Sequence, residues 1–260
     1  MKTDVNGVSH SYEVRGNGSE VILFIHGLGG TRNFWYPQIQ TLARTFTVIS
    51  YDLRGSGRSG LSDEAYSMAG WVDDAIALLD ELRVEQVHIV AHSMGTVIAQ
   101  YFAVHHPHRT RSLTLVGPIV EIGPAGKDGL RNRANTVREQ GMDAVADSIC
   151  EGGLSAATKG AHPEIVALIR DMLMSQPAEG YARSCEALAA ASAIDHSQVN
   201  VPVLLIAGDE DNTSPYAVSR RLAGAFPNAK AITLPQCGHW LSLEQPGLVT
   251  SALHDFLIRA

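Results

Sequence analysis

The stretch Val87-His88-Ile89-Val90-Ala91-His92-Ser93-Met94-Gly95-Thr96-Val97-Ile98-Ala99-Gln100-Tyr101 changes character at a single serine. A mostly apolar run of strand length leads into Ser93, and small and apolar residues of helical length follow it. So abrupt a passage from strand to helix holds the residue at the turn in a strained backbone conformation and exposes its side chain. The residues two before and two after must then be small, and they are Ala91 and Gly95. Ala91 stands where the motif usually has glycine, and its single methyl group still suits the turn. Ser93 thus reads as a nucleophile at the head of a helix, where free N–H groups and the positive dipole end favour developing negative charge.

Outward from this turn, short β-branched runs alternate with segments of helix length. Strands are predicted at 21–25, 47–51, 86–90, 111–116, 203–207 and 230–234, which makes an α/β chain with a mainly parallel central sheet flanked by helices. The rhythm stops between Ile119 and Ser197, where 130–139, 163–174 and 177–191 read as helices. The expected organisation is a core in two parts, 1–118 and 198–260, interrupted by an inserted helical lid at 119–197. Pro177 suits a first helical turn, and Pro202 suits the start of a strand.

Composition narrows the function. With 260 residues, 45% of them apolar and 18% charged, the chain is of a size for one well-buried core. Its formal charge of −7 argues against nucleic acid and anionic membranes as partners. Cys150, Cys185 and Cys237 form no CxxC pair, so reduced thiols are expected rather than disulfides or a zinc site. No signal-peptide pattern and no membrane-length apolar run is apparent, so the expectation is a cytoplasmic protein with a small-molecule substrate, no metal and no cofactor. Oligomeric state is left open.

A serine hydroxyl needs a base to attack, and histidine, with a free pKa near 6.5, is the usual one. Among eleven histidines, His239 in Gln236-Cys237-Gly238-His239-Trp240 directly follows the last predicted strand, on the edge where Ser93 should emerge. His92, His105, His106, His108 and His254 read as turn or helix-surface residues. The group orienting the imidazole should be one of Asp209, Glu210 and Asp211, which follow the strand at 203–207; the order serine, acid, histidine fits all three. The first donor to an oxyanion is the Met94 N–H. The loop Phe24-Ile25-His26-Gly27-Leu28-Gly29-Gly30 offers the second, the Leu28 N–H, with Gly27 and Trp240 beside the substrate.

At these residues the chain resembles the α/β-hydrolase superfamily over nearly its whole length, and most of all the branch of 3-oxoadipate enol-lactonases, small esterases and acyl-homoserine lactonases. The superfamily's HG-x-G loop matches His26, Gly27 and Gly29. Its D-x-R-G-x-G-x-S turn matches Asp52, Arg54, Gly55, Gly57 and Ser59, and its G-x-x-D-x-x-x-P turn matches Gly208, Asp211 and Pro215. The resemblance selects Asp211 and implies an esterase or lactonase working through an acyl-enzyme. It continues into the lid at Arg133, Thr136, Val137, Arg138, Gly141 and Met142, and breaks at Cys150-Glu151-Gly152-Gly153, where an aromatic residue is expected.

Ser93 speaks against related dehalogenases and epoxide hydrolases, which use aspartate. Carbon-carbon bond hydrolases and cofactor-free haloperoxidases share the serine, and a non-catalytic receptor is the alternative of another class. On the lid helix, Arg133 or Arg138 is expected to face substrate, the alternative being that the arginines form the helix's solvated face. Five positions apart, they lie about 140° around a helix, so one pocket would not readily take both.

Overall fold

Most of the predicted apolar runs become strands buried along nearly their whole length, as the centre of a sheet covered on both faces requires, while the last, at 230–234, is only partly buried. The computed structural model describes residues 1–120 and 122–260. Among these, eight strands form one sheet in the order β1-β2-β4-β3-β5-β6-β7-β8. They are β1 (Lys2–Val5), β2 (Val8–Arg15), β3 (Val21–Ile25), β4 (Thr47–Tyr51), β5 (Val87–His92), β6 (Thr110–Val116), β7 (Val203–Gly208) and β8 (Ala229–Leu234). From β4 to β8 every pairing is parallel, while β1 and β2 add antiparallel at one side. The six predicted strands are all present, and β5 runs two residues further than expected, to His92 beside Ser93.

Alternate residues of each strand feed two apolar layers, following the two-residue period. On one face Ile22, Phe24, Val90 and Ile206 pack with residues of α1 (Tyr36–Leu42) and α11 (Pro246–Leu257). On the other, Leu23, Ile25, Ile89 and Leu115 meet α2 (Met68–Glu81) and α3 (Met94–His105) through Trp71, Leu78, Ile98 and Phe102. Each such fully buried large apolar side chain contributes about 1.5–3 kcal/mol.

Between β6 and β7 lie α4 (Pro124–Gln140), α5 (Asp143–Gly153), α6 (Ala156–Ala161), α7 (Pro163–Met174) and α8 (Ala178–Ala190). Pro177 stands one residue outside α8 as its N-terminal cap, not in the first turn, with ψ at 119°. This layer also buries two of the three cysteines, Cys150 and Cys185; Cys237 is buried beside His239, and all three are unbridged. Burial pushes their thiols up, Cys185 to about 12. After β7 come α9 (Tyr216–Ala223) and, beyond β8, α10 (Leu241–Glu244). Among the described residues no helix is long and apolar enough to cross a membrane.

Candidate active site

β5 delivers Ser93 to the carboxyl edge of the sheet, and α3 begins at the next residue. Ser93 has φ 51° and ψ −121°, the strained turn expected of an exposed nucleophile. It is held there by its N–H on Val116 O at 3.0 Å and by the Thr96 hydroxyl, which donates to its carbonyl at 2.6 Å. The requirement for glycine at 95 is one of close approach: a Cβ there would meet His26 O at 2.5 Å and Ile25 O at 2.8 Å.

Three side chains far apart in sequence meet at this edge. His239 Nε2 lies 2.8 Å from Ser93 Oγ, and His239 Nδ1 lies 2.8 Å from Asp211 Oδ2. With the proton on Nδ1, the imidazole donates to Asp211 and accepts from the Ser93 hydroxyl. Asp211 is 3% exposed. Its second oxygen accepts from the N–H groups of Thr213 at 2.8 Å and Ser214 at 2.7 Å. Burial alone would raise its pKa, but the His239 ring and these N–H groups outweigh that and hold it below the usual carboxylate value. The arrangement can take a proton from Ser93 and stabilise the imidazolium that results. Asp209 and Glu210 do not reach His239; they accept from the N–H groups of Cys237 and Ala156.

The Leu28 loop passes directly beside the serine. A Cβ on Gly27 would fall 2.8 Å from Ser93 Cβ, which explains a glycine there. Gly27 is not among the residues lining the cavity, and its close packing on Ser93 and His92 accounts for the glycine by backbone clearance. Among the described residues, neither the Leu28 nor the Met94 N–H donates a hydrogen bond, so both are free for an anion. The loop is fixed by His26, whose Nδ1–H donates to Gly27 O at 2.8 Å while Nε2 accepts from Leu53 N–H at 3.0 Å. Accepting at Nε2 requires the neutral ring, and burial keeps it neutral by lowering its pKa. Of the D-x-R-G turn, Arg54 is locked onto buried Asp74 at 2.5–2.6 Å, which braces the sheet edge rather than touching the serine.

A cavity of about 390 Å³ opens over the relay. Leu28, Ile119, Ile122, Leu130, Ile149 and Leu188 make it mainly apolar, and Arg133, Tyr181 and Trp240 also line it. Arg133 and Trp240, both named from the sequence, thus border the cavity. Arg138 does not: its guanidinium is held outside by Glu179 at 2.8 Å and Glu186 at 2.5 Å, as the 140° separation along α4 demands. Gly152 and Gly153 border the cavity where an aromatic residue was expected, and the Trp240 indole packs against Gly153, where a Cβ would meet its Nε1 at 2.8 Å.

Three residues of the site escaped the sequence reading. His92 is buried, not a surface turn residue: it stacks on Phe34 with centroids 4.4 Å apart, and its Nε2 donates to His239 O at 2.8 Å. Burial lowers its pKa to about 3. Gln176, after α7, donates to Gly29 O and Gly30 O and accepts from Gly57 N–H. Glu244 gathers backbone groups on both sides of His239. Adjacency to Ser93 was the one available signal for His92; Gln176 acts across a long sequence separation, and Glu244 lies only four to six residues beyond the groups it holds around His239.

This geometry on this sheet matches a known class. A family model for the alpha/beta hydrolase fold matches residues 20–140 and 157–246, and the chain belongs to that family. It is 31% identical over 239 residues to 3-oxoadipate enol-lactonase 2 of Acinetobacter baylyi, covering 92% of this chain and 88% of that protein. A Caulobacter vibrioides protein described as a carbamate hydrolase, RutD, is 29% identical over 260 residues, with 95% and 94% covered. Among solved structures, a thermophilic esterase from Thermogutta terrifontis superposes with a TM-score of 0.94 at 28% identity, over 99% of this chain and 96% of that one.

Proposed function

We propose that the protein is a serine hydrolase that cleaves small carboxylic esters or lactones through an acyl-enzyme on Ser93. The observation that carries this is the unbroken relay from Ser93 through His239 to Asp211, with 2.8 Å at each step, opening onto the apolar cavity. His239 takes the serine proton as Oγ attacks the acyl carbon, and the oxyanion is met by the Leu28 and Met94 N–H groups. As the carbonyl re-forms, the bond to the alkoxide breaks and the imidazolium protonates the departing oxygen. For a lactone that oxygen stays tethered to the acyl group. Water, deprotonated by His239, then attacks the acyl-enzyme, and the returning proton frees Ser93. In this reading residues 119–197 act as the lid that shapes the cavity, and the likeness to enol-lactonase and esterase relatives supports the substrate class.

Ser93→Ala should leave a folded protein whose kcat falls by roughly three powers of ten or more, since binding and oxyanion contacts remain. Retention of over about a tenth of the activity would remove Ser93 as nucleophile. Short p-nitrophenyl esters, γ-lactones, acyl-homoserine lactones and carbamates assayed side by side rank the acyl classes. Sustained turnover separates an enzyme from a receptor that yields one stoichiometric burst.

A further inference from the structure

Glu244 is a buried carboxylate, 9% exposed, with no cation within ion-pair distance among the described residues. Its oxygens are surrounded by donors instead. Oε2 accepts from Gly238 N–H at 3.2 Å, Ser155 N–H at 2.8 Å and the Thr158 hydroxyl at 2.9 Å, while Oε1 accepts from Trp240 N–H at 3.1 Å. Gly238 and Trp240 are the two neighbours of His239, so one side chain grips the backbone on both sides of the base. Ser155 and Thr158 belong to the junction of α5 and α6. The Ser155 hydroxyl donates in turn to Thr158 Oγ1 at 2.9 Å, a chain that polarises toward the carboxylate. The same junction holds His239 directly, because its N–H donates to Gly153 O at 2.7 Å. Four donors and no competing acceptor suit an ionised, acceptor-only carboxylate.

We propose that Glu244 is a positioning residue that fixes His239 for proton transfer and fastens the α5–α6 junction to the catalytic loop. The proposal rests on His239 being the base. Glu244 does not line the cavity, so its loss should leave substrate binding intact and misplace the imidazole, and sub-ångström errors in such geometry are costly.

Graded substitution separates positioning from general weakening. In Glu244→Gln the amide oxygen can keep the three contacts of Oε2 and surrender only Trp240 N–H, whereas Glu244→Ala loses all four. We expect kcat on a short p-nitrophenyl ester to fall about tenfold for glutamine and about a hundredfold for alanine, with KM within about twofold in both. Thr158→Val, which removes one donor, should cost a few-fold in kcat and keeps the test open if the alanine variant does not fold. The low-field proton resonance of the His239–Asp211 hydrogen bond should shift or broaden in the same order. Val87→Ala, a core truncation at the opposite end of β5 from Ser93, serves as the stability control and should lower Tm with kcat retained. If the Glu244 variants lose no more kcat than Val87→Ala at equal Tm loss, or the resonance is unmoved, Glu244 is only structural and the proposal fails. Ser93→Ala in the same assay keeps the outcomes apart: if it is active the hydrolase reading falls, whereas if it is inactive beside fully active Glu244 variants only the positioning role falls.

Discussion

Asp211 and Asp209 sit two positions apart on one turn, yet only Asp211 faces the imidazole. Because Asp211 Oδ1 already accepts two N–H groups, Asp211→Asn must keep its oxygen there and turn its NH2 toward His239. The ring is then driven to the tautomer with its proton on Nε2, which cannot accept from Ser93. A kcat loss on the order of 10³ to 10⁴ is expected, the scale of the same change in serine protease triads. Asp209→Asn keeps an acceptor for Cys237 N–H and should change kcat by less than about threefold. Steady-state kinetics of the two variants checks the ranking, and its reversal would reassign the acid. The arginines divide likewise. Arg133 lines the cavity, so Arg133→Ala should raise KM several-fold for a carboxylate-bearing lactone and little for a neutral ester; Arg138→Ala should do neither. Equal effects of Arg133→Ala on both substrates would make it a surface residue. The sequence indicated Ser93 and His239 because each follows a strand inside a short motif, whereas position left Asp209, Glu210 and Asp211 open and the resemblance at Gly208, Asp211 and Pro215 chose Asp211. Glu244 carries no such motif: two of its partners are backbone N–H groups four and six residues before it, and the other two, at Ser155 and Thr158, are brought in by the fold.

At the level of elements, the strands at the centre of the sheet were legible because their apolar runs are continuous, while the more polar antiparallel pair β1 and β2 at one side of the sheet was not. A signal for them existed: Asn6-Gly7, with φ 51° and 73°, is the turn pair of a tight hairpin and joins β1 to β2. α5 and α6 were missed because α5 ends in Gly152-Gly153 and α6 is a turn and a half long, held by its Ser155 cap rather than by apolar periodicity. The inserted layer is also tied to the core more firmly than hydropathy suggests. Gln176 is the second fastening, linking the end of α7 to the carbonyls of the Leu28 loop. Gln176→Leu keeps the volume and strands those buried carbonyls, so stability should fall by about 1–3 kcal/mol, read from thermal denaturation. Activity should fall beyond what stability explains, because the loop carries the Leu28 N–H. An unchanged Tm would mean water replaces the side chain.

Across the whole molecule, buried histidines set the response to acid. Burial lowers His88 to about 4 and His92 to about 3, whereas the unfolded chain titrates near 6.5. As pH falls from about 6.5 toward those values, the unfolded state binds protons that the fold refuses, so stability declines through that window. Asp74 and Asp211, both held below the ordinary aspartate value, add a second loss further down, as pH falls through their folded pKa. Tm measured from pH 7 to pH 4 should therefore decrease steadily, and His88→Gln should remove a share on the order of 3 kcal/mol from that slope. A flat profile would contradict the buried neutral rings. The three sequestered thiols give the molecule a built-in clock. Alkylation needs a thiolate, which burial suppresses, so each cysteine reacts only as often as its neighbourhood is laid open. With the α5–α6 junction fastened to His239, Cys150 and Cys237 should be labelled in step, and Cys185 on α8 on a schedule of its own. One time course of mass spectra would then resolve two kinds of breathing in a protein carrying no introduced probe.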